Sequence, residues 1–171
     1  MGDKYAEVLI KKKTDNVALI CRLVLVLVTI FIAAMSIMYV PSVSVLVIAL
    51  FIYLTYIVFK NTDVEFEYSF VNGQLDIECI YGKKKRKPAK SFNFDKLEVL
   101  APEKHQKVLA YEKRQGIKNF NYSSGYEDRD IYIAILVGKD GSLGRLIFEP
   151  SEEMIKTIYS HTPSKVFKTV E

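Results

Sequence analysis

Residues 17–39 read VALICRLVLVLVTIFIAAMSIMY and residues 43–59 read VSVLVIALFIYLTYIVF, and these two apolar stretches decide the fold. About 20 apolar helical residues suffice to cross a hydrocarbon core about 30 Å thick. The first stretch carries one charge, Arg22, about one helical turn from its start, where the guanidinium can reach the headgroups. Only Val40, Pro41 and Ser42 separate the stretches, and proline ends a helix. The sequence therefore predicts a transmembrane hairpin of two helices over residues 17–60.

Two other interpretations of these stretches fit less well. Basic residues before an apolar stretch, followed by the small residues Ala34 and Ser36, resemble a cleaved signal peptide. The stretch is too long for one, however, and a second apolar stretch follows directly. A buried soluble hairpin would need a polar face, which neither stretch has.

The basic residues lie at one end of the predicted hairpin. Lys11, Lys12, Lys13 and Arg22 come at its start and Lys60 at its end, whereas the connecting turn is uncharged. Because cytosolic flanks are enriched in Lys and Arg, we expect a multi-pass protein of the cell membrane with both termini in the cytosol. The same bias explains the net charge of +4, so the charge does not point to nucleic acid.

Residues 1–16 form a cytosolic N-terminal segment whose structure the sequence leaves open. Tyr5, Val8 and Leu9 fit one face of a short interfacial helix, and they fit an edge strand equally well. The remaining residues, 61–171, alternate between apolar and polar side chains and predict a cytosolic β domain.

The clearest signal in this domain is a β-hairpin around Asn72 and Gly73. A type I′ turn there pairs Phe70 with Leu75, and it places further apolar pairs on the same face, Tyr68 with Ile77 and Phe66 with Cys79. A second hairpin, with a two-residue turn at Asp140 and Gly141, would pair Ile135 with Leu146 and Ile133 with Phe148.

Shorter strands are expected between the hairpins, at residues 89–94, 97–100, 108–111 and 117–122. Ser151 then caps a helix whose apolar face holds Met154, Ile155, Ile158 and Tyr159, and which ends at Thr162 and Pro163. The fold class is therefore an α+β membrane protein. Its helical hairpin precedes a mainly antiparallel, partly open barrel that a C-terminal helix covers.

Three parts of the chain resemble a known family: the two-helix anchor, EFEYSFVNGQLDIECIYGKKKRK at 65–87 and LIFEPSEEMIKTIYSHTP at 146–163. They are similar to an uncharacterised family of small two-helix membrane proteins of Gram-positive bacteria, whose cytosolic part resembles a pleckstrin-homology-like (PH-like) domain. The resemblance implies seven strands in two packed sheets with a C-terminal helix. It brings no functional residues with it, and a fold does not transfer a function.

No catalytic or metal-binding pattern emerges from the sequence. His105 and His161 do not stand at metal-ligand spacing from Cys21 or Cys79, so neither a metal nor a cofactor is expected. The glycines at 138, 141 and 144 lie within a predicted hairpin rather than before a helix, which fits turns better than a phosphate loop. Acidic residues at 127, 128 and 130 fit a solvated loop, and Ser123 and Ser124 lack a nucleophile elbow. We expect no enzymatic activity.

The basic segment after the first hairpin is the candidate binding site. Its residues are Lys83, Lys84, Lys85, Arg86 and Lys87, with Lys90 just beyond. If the first strand rises from the membrane, the returning second strand brings this segment near the headgroups, where each cation contributes on the order of 1 kcal/mol with anionic lipid. A solvated loop is the alternative, since Glu65 and Glu67 would oppose anionic lipid.

Three functional hypotheses follow. The first is a non-enzymatic, membrane-tethered module that binds lipid headgroups or a protein partner at the cytosolic surface. The second is a structural subunit of a membrane complex assembled through the hairpin, where Thr29, Ala33 and Ser36 supply small residues. The third, nucleic-acid binding through Lys118, Phe120 and Tyr122, is not favoured because nearby acidic residues oppose phosphate.

Overall fold

The computed structural model describes residues 5–112, 114–138 and 140–168, and the chain divides into two compact units. The helical unit comprises Lys13–Val64 and Ile80–Lys85. The β unit comprises residues 5–12, Glu65–Cys79 and the described residues from Arg86 onward.

The helical unit contains the two predicted helices. Helix α1 spans Asn16–Tyr39, a short 3-10 turn covers Pro41–Val43, and α2 spans Ser44–Thr62. Both helices are long and apolar enough to cross a membrane. At about 1.5 Å per residue, the 24 residues of α1 extend about 36 Å. The short connection makes the helices antiparallel neighbours, as the proline predicts.

Polar side chains join α1 to α2 at two places. The hydroxyl oxygens of Thr29 and Thr55 lie 3.0 Å apart. Nearer the helix ends, the Arg22 guanidinium donates to the Thr62 hydroxyl at 2.8 and 2.6 Å. Its charge also lies 5.1 Å from the centre of the Phe59 ring. Arg22 therefore binds the last turn of the other helix.

Two four-stranded sheets follow the orders β1-β2-β3-β4 and β5-β7-β8-β6. The first contains β1 Tyr5–Lys11, β2 Val64–Val71, β3 Gln74–Tyr81 and β4 Lys85–Asn93. The second contains β5 Leu97–Pro102, β6 Lys118–Asn121, β7 Tyr132–Val137 and β8 Leu143–Phe148. Helix α3 spans Gln106–Glu112 and α4 spans Glu152–His161. The pairs β1–β2, β5–β7 and β7–β8 are antiparallel, whereas β6 runs parallel to β8, which confirms the mainly antiparallel fold.

Strand β1 answers the question that the sequence left open for the N-terminal segment. It pairs antiparallel with β2, so that Lys11 stands opposite Glu65 and Tyr5 opposite Val71. Ala6 and Ile10 are buried. The described residues consequently form eight strands, one more than the resemblance implies.

Aromatic side chains fill the space between the sheets. Tyr68 of the first sheet meets Phe148 of the second edge-to-face at 5.8 Å, and Phe66 meets Tyr122 at 5.6 Å. Helix α4 begins where predicted, with the Ser151 hydroxyl accepting from the Met154 N–H at 3.1 Å. It buries three of the four side chains predicted for its apolar face, Met154, Ile155 and Ile158, whereas Tyr159 is exposed.

The first hairpin has the predicted turn. Asn72 and Gly73 both have positive φ, 48° and 91°, as a type I′ turn requires. Among the side chains predicted to share its inner face, Cys79 is half-buried, and the other five are buried: Phe66, Tyr68, Phe70, Leu75 and Ile77.

The predicted register of the second hairpin is wrong by one residue. Ile135 stands opposite Arg145 rather than Leu146, and Ile133 opposite Ile147 rather than Phe148. The Gly138 N–H donates to the Ser142 carbonyl at 2.7 Å, so three residues rather than two lie in the loop. Gly141, at φ 77°, supplies the left-handed residue that such loops use.

One expected strand is a helix, and another begins earlier than expected. The segment 108–111 belongs to helix α3, whose start is fixed by His105: its Nδ1 accepts from the Lys107 N–H at 3.1 Å, and its carbonyl accepts from the Val108 N–H at 2.9 Å. Strand β4 begins at Lys85, four residues before the expected start at residue 89.

Candidate functional site

The basic segment begins in a tight turn beside the end of α2. The Gly82 N–H donates to the carbonyl of Asp63, the residue after α2, at 2.8 Å. A Cβ on Gly82 would collide with the Lys60 side chain and would lie 2.9 Å from the Lys60 carbonyl oxygen. Only glycine lets the backbone approach this closely, so the turn sits directly against the last turn of α2.

The turn itself has two central residues. Gly82 and Lys83 have φ values of 55° and 57°, and the Lys84 N–H donates to the Tyr81 carbonyl at 3.2 Å. This is type I′ geometry, whose twist matches that of paired strands, so pairing resumes at once. The predicted basic loop is therefore shorter than expected, because Lys85, Arg86 and Lys87 already belong to β4.

The structure places the six predicted site residues in different settings. Lys83, Lys84 and Lys85 belong to the helical unit, where all three are exposed. Arg86, Lys87 and Lys90 lie further along β4, in the part of that strand that belongs to the β unit, and their side chains are exposed as well.

Arg86 is engaged by acidic side chains. It forms an ion pair with Glu67 and lies 3.8 Å from Glu78. Burial, followed by the hydrogen bond to Glu7, raises the pKa of the Glu67 carboxyl, whereas the Arg86 charge opposes this rise. Arg86 thus neutralises the buried carboxyl of Glu67. The charge of Arg86 is therefore less available to a ligand than the charges of Lys83, Lys84 and Lys85, called here the turn lysines.

Lys90 lies over an aromatic ring. Its Nζ is 4.0 Å from the centre of Phe120, a cation–π contact. The Phe120 ring also meets Phe92 edge-to-face at 5.5 Å, and Tyr122 packs on Phe66. The rings that the nucleic-acid hypothesis relies on therefore make packing contacts within the β unit.

The histidines also have structural partners. His161 Nε2 lies 2.8 Å from Asp95 Oδ1, and the His105 ring packs on Phe167 at 5.2 Å. Within residues 5–112, 114–138 and 140–168, no group of three or more His, Cys, Asp or Glu side chains could hold a metal ion.

Sequence reasoning missed the role of Lys60, which we treated only as a flanking charge. Its contact with Gly82 joins it to the turn lysines in one cationic surface, formed by Lys60, Lys83, Lys84 and Lys85 and called here the turn surface. The signal that could have revealed it is the glycine immediately before the basic run, since glycine commonly marks a close approach of two backbones.

The family model described as Bacterial PH-like domain (DUF6106) matches residues 2–168 of the chain. No curated protein and no solved structure matches the chain.

Proposed function

Because the chain belongs to the bacterial PH-like domain family DUF6106, we propose that it is a non-enzymatic binding module anchored in the cell membrane by α1 and α2. Both termini lie in the cytosol, and the turn surface contacts anionic lipid headgroups. The observation that carries this proposal is the hydrogen bond from Gly82 to Asp63, which holds the turn lysines beside the end of a helix long and apolar enough to cross a bilayer.

The charges support contact with lipid. Each Lys near an anionic leaflet contributes on the order of 1 kcal/mol, so the exposed Lys83, Lys84 and Lys85 together contribute about 3 kcal/mol. The helices already hold the chain in the membrane, so this attraction is not needed for anchoring. Its effect is to favour anionic lipids around the turn.

The acidic residues that argued against lipid contact lie beside basic residues, which offset their negative charge. Glu67 pairs with Arg86, and Glu65 stands opposite Lys11 in the β1–β2 register. Opposite charges at such positions attract each other across neighbouring strands. The repulsion between these carboxylates and an anionic surface is correspondingly reduced.

The alternative, a structural subunit assembled through the hairpin, is less well supported. Thr29 is already bonded to Thr55 within the same chain, and Ala33 and Ser36 are half-buried on α1. Of the small residues that suggested an interface, Thr29 therefore serves the contact between α1 and α2.

A single-tryptophan reporter tests the lipid contact. The chain contains no Trp, so Tyr81→Trp places one fluorophore at the turn of the full-length protein in nanodiscs. Lys83→Asn, Lys84→Gln and Lys85→Gln remove the charges, and Asn tolerates the positive φ of residue 83. The control removes three lysines elsewhere: Lys104→Gln, Lys156→Gln and Lys165→Gln.

We expect brominated phosphatidylglycerol to quench the reporter at least twice as strongly as brominated phosphatidylcholine at equal mole fraction. The turn variant should lose this preference, and the control variant should keep it. Equal quenching by the two lipids in the parent protein would overturn the proposal.

A further inference from the structure

We propose that the β unit contains a second binding site, a cleft that takes a small soluble organic anion with a flat apolar part. The cleft lies between β4, β6 and the β7–β8 hairpin, and its volume is about 600 Å³. Small-molecule sites typically have volumes of about 300–1,000 Å³. The site is independent of the lipid contact, because none of its lining residues belongs to the turn surface.

The cleft lies where an edge strand of each sheet is left unpaired with the other sheet. Strand β4 is the last strand of the first sheet, and β6 is the last strand of the second. Both strands line the cleft, and no strand among the described residues fills the gap between them.

Aromatic and aliphatic side chains provide the apolar part of the lining. Phe92 and Phe120 meet at 5.5 Å, and the buried Leu136 lies beside them in the lining. Gly144 faces the Phe120 ring, where an added Cβ would come within 3.3 Å of a ring carbon. Phe92 is buried and Phe120 is half-buried with Lys90 over its ring, so a flat apolar group of a ligand would pack against the part of Phe120 that these neighbours leave exposed.

The described residues of the lining include three lysines, Lys90, Lys96 and Lys118. They include one carboxylate, Asp140, which lies 3.2 Å from Lys118 Nζ. Asp140 also accepts from the Ser142 hydroxyl at 2.7 Å and from its N–H at 3.1 Å. Among the described residues Lys96 has no ion-pair partner, so the lining carries an excess of positive charge.

The chemistry of the lining identifies the class of ligand. A carboxylate, phosphate or sulfonate would contact Lys96 and compete with Asp140 for Lys118. The apolar part would pack beside Phe120 and Phe92. An inorganic ion would leave the aromatic surface unused, and a neutral aromatic would leave Lys96 without an ion-pair partner.

The test uses 1-naphthyl phosphate and inorganic phosphate as probes. Calorimetric titration of the full-length protein, in nanodiscs of phosphatidylcholine with empty nanodiscs subtracted, measures both affinities. We expect 1-naphthyl phosphate to bind at least tenfold more tightly than inorganic phosphate. Lys96→Gln with Lys118→Gln should weaken 1-naphthyl phosphate at least tenfold, and Phe120→Leu should weaken it while leaving inorganic phosphate unchanged.

Two matched variants serve as controls. Lys104→Gln with Lys156→Gln removes two charges outside the cleft and should leave binding unchanged, as should the turn variant. Unfolding temperatures of all variants show that each is folded. No binding of 1-naphthyl phosphate to the parent, or equal affinity for the two probes, would overturn the proposal. Displacement of 1-naphthyl phosphate by phosphatidylglycerol in the nanodisc would also overturn it, by making the cleft a lipid site.

Discussion

Glu67 lies on β2 between the inward-facing Phe66 and Tyr68, yet only 8% of its surface is exposed. Alternation along a strand directs its carboxyl to the outer face of the sheet, where Arg86 covers it. Burial and the hydrogen bond to Glu7 outweigh the charge of Arg86, so the environment of this carboxyl favours the protonated form.

This environment predicts a measurable dependence of stability on pH. The pKa of Glu67 is raised in the folded state, so its stabilising contribution is present below the unfolded pKa, about 4.3, and is lost as pH rises through the raised value. We expect Glu67→Gln to match the parent protein in unfolding temperature near pH 4 and to exceed it near pH 7. Thermal unfolding followed by circular dichroism measures the difference.

Glu7 shares a hydrogen bond with Glu67, and its own pKa shifts in the opposite direction. The Tyr5 hydroxyl donates to its carboxylate, and this bond, together with the one to Glu67, lowers the pKa of Glu7. Its contribution is present above the unfolded pKa and is lost as pH falls, so Glu7→Gln should cost stability at pH 7. If Glu67→Gln retained the same pH dependence as the parent protein, the assignment to Glu67 would be wrong.

At the scale of elements, the contact between α1 and α2 depends on few polar groups. The Thr29–Thr55 bond lies far from the helix ends, in a segment apolar enough to be surrounded by lipid tails. Interhelical hydrogen bonds in bilayers contribute about 0.6 kcal/mol on average. Thr29→Val and Thr55→Val keep the side-chain shape and remove the bond.

A double-mutant cycle of these two substitutions should give a coupling energy of about 0.5–1 kcal/mol. Unfolding of the full-length protein by SDS in mixed micelles measures it. Ser42→Ala in the exposed connection, combined with Thr29→Val, should show no coupling. Strictly additive effects of Thr29→Val and Thr55→Val would mean that the bond does not form in the membrane.

The two β-hairpins show which elements could be predicted from sequence. Around Asn72 and Gly73, one face of each strand is apolar and the other polar, so turn type and burial agree on one register. Strand β7 is different, because its first five residues are all buried. Ile133 and Ile135 pack in a cluster with Val108 of α3, so both faces of β7 are covered. When both faces of a strand are apolar, burial does not determine its register, and the length of the adjoining loop does. We predicted that loop one residue too short.

The candidate sites were predictable to different degrees. The basic run after Gly82 is visible in the sequence, but its position depends on a backbone contact with Asp63, nearly twenty residues earlier. The cleft was not predictable, because its lysines come together only through the seam between β4 and β6. Nothing in the local pattern of β6 indicates that it pairs in parallel with β8.

At the scale of the whole molecule, the helical hairpin is an insertion between two neighbouring strands. Lys11 of β1 and Glu65 of β2 are cross-strand partners, although α1 and α2 separate them in sequence. Replacing residues 13–63 by Asn-Gly should therefore close β1 and β2 as an ordinary type I′ hairpin. We expect a soluble chain that unfolds cooperatively without detergent, measured by circular dichroism and size-exclusion chromatography. A matched chain that begins at Val64 lacks Ala6 and Ile10, leaves β2 as an open edge and should aggregate. Aggregation of the Asn-Gly chain itself would show that the β unit needs the helices in order to fold.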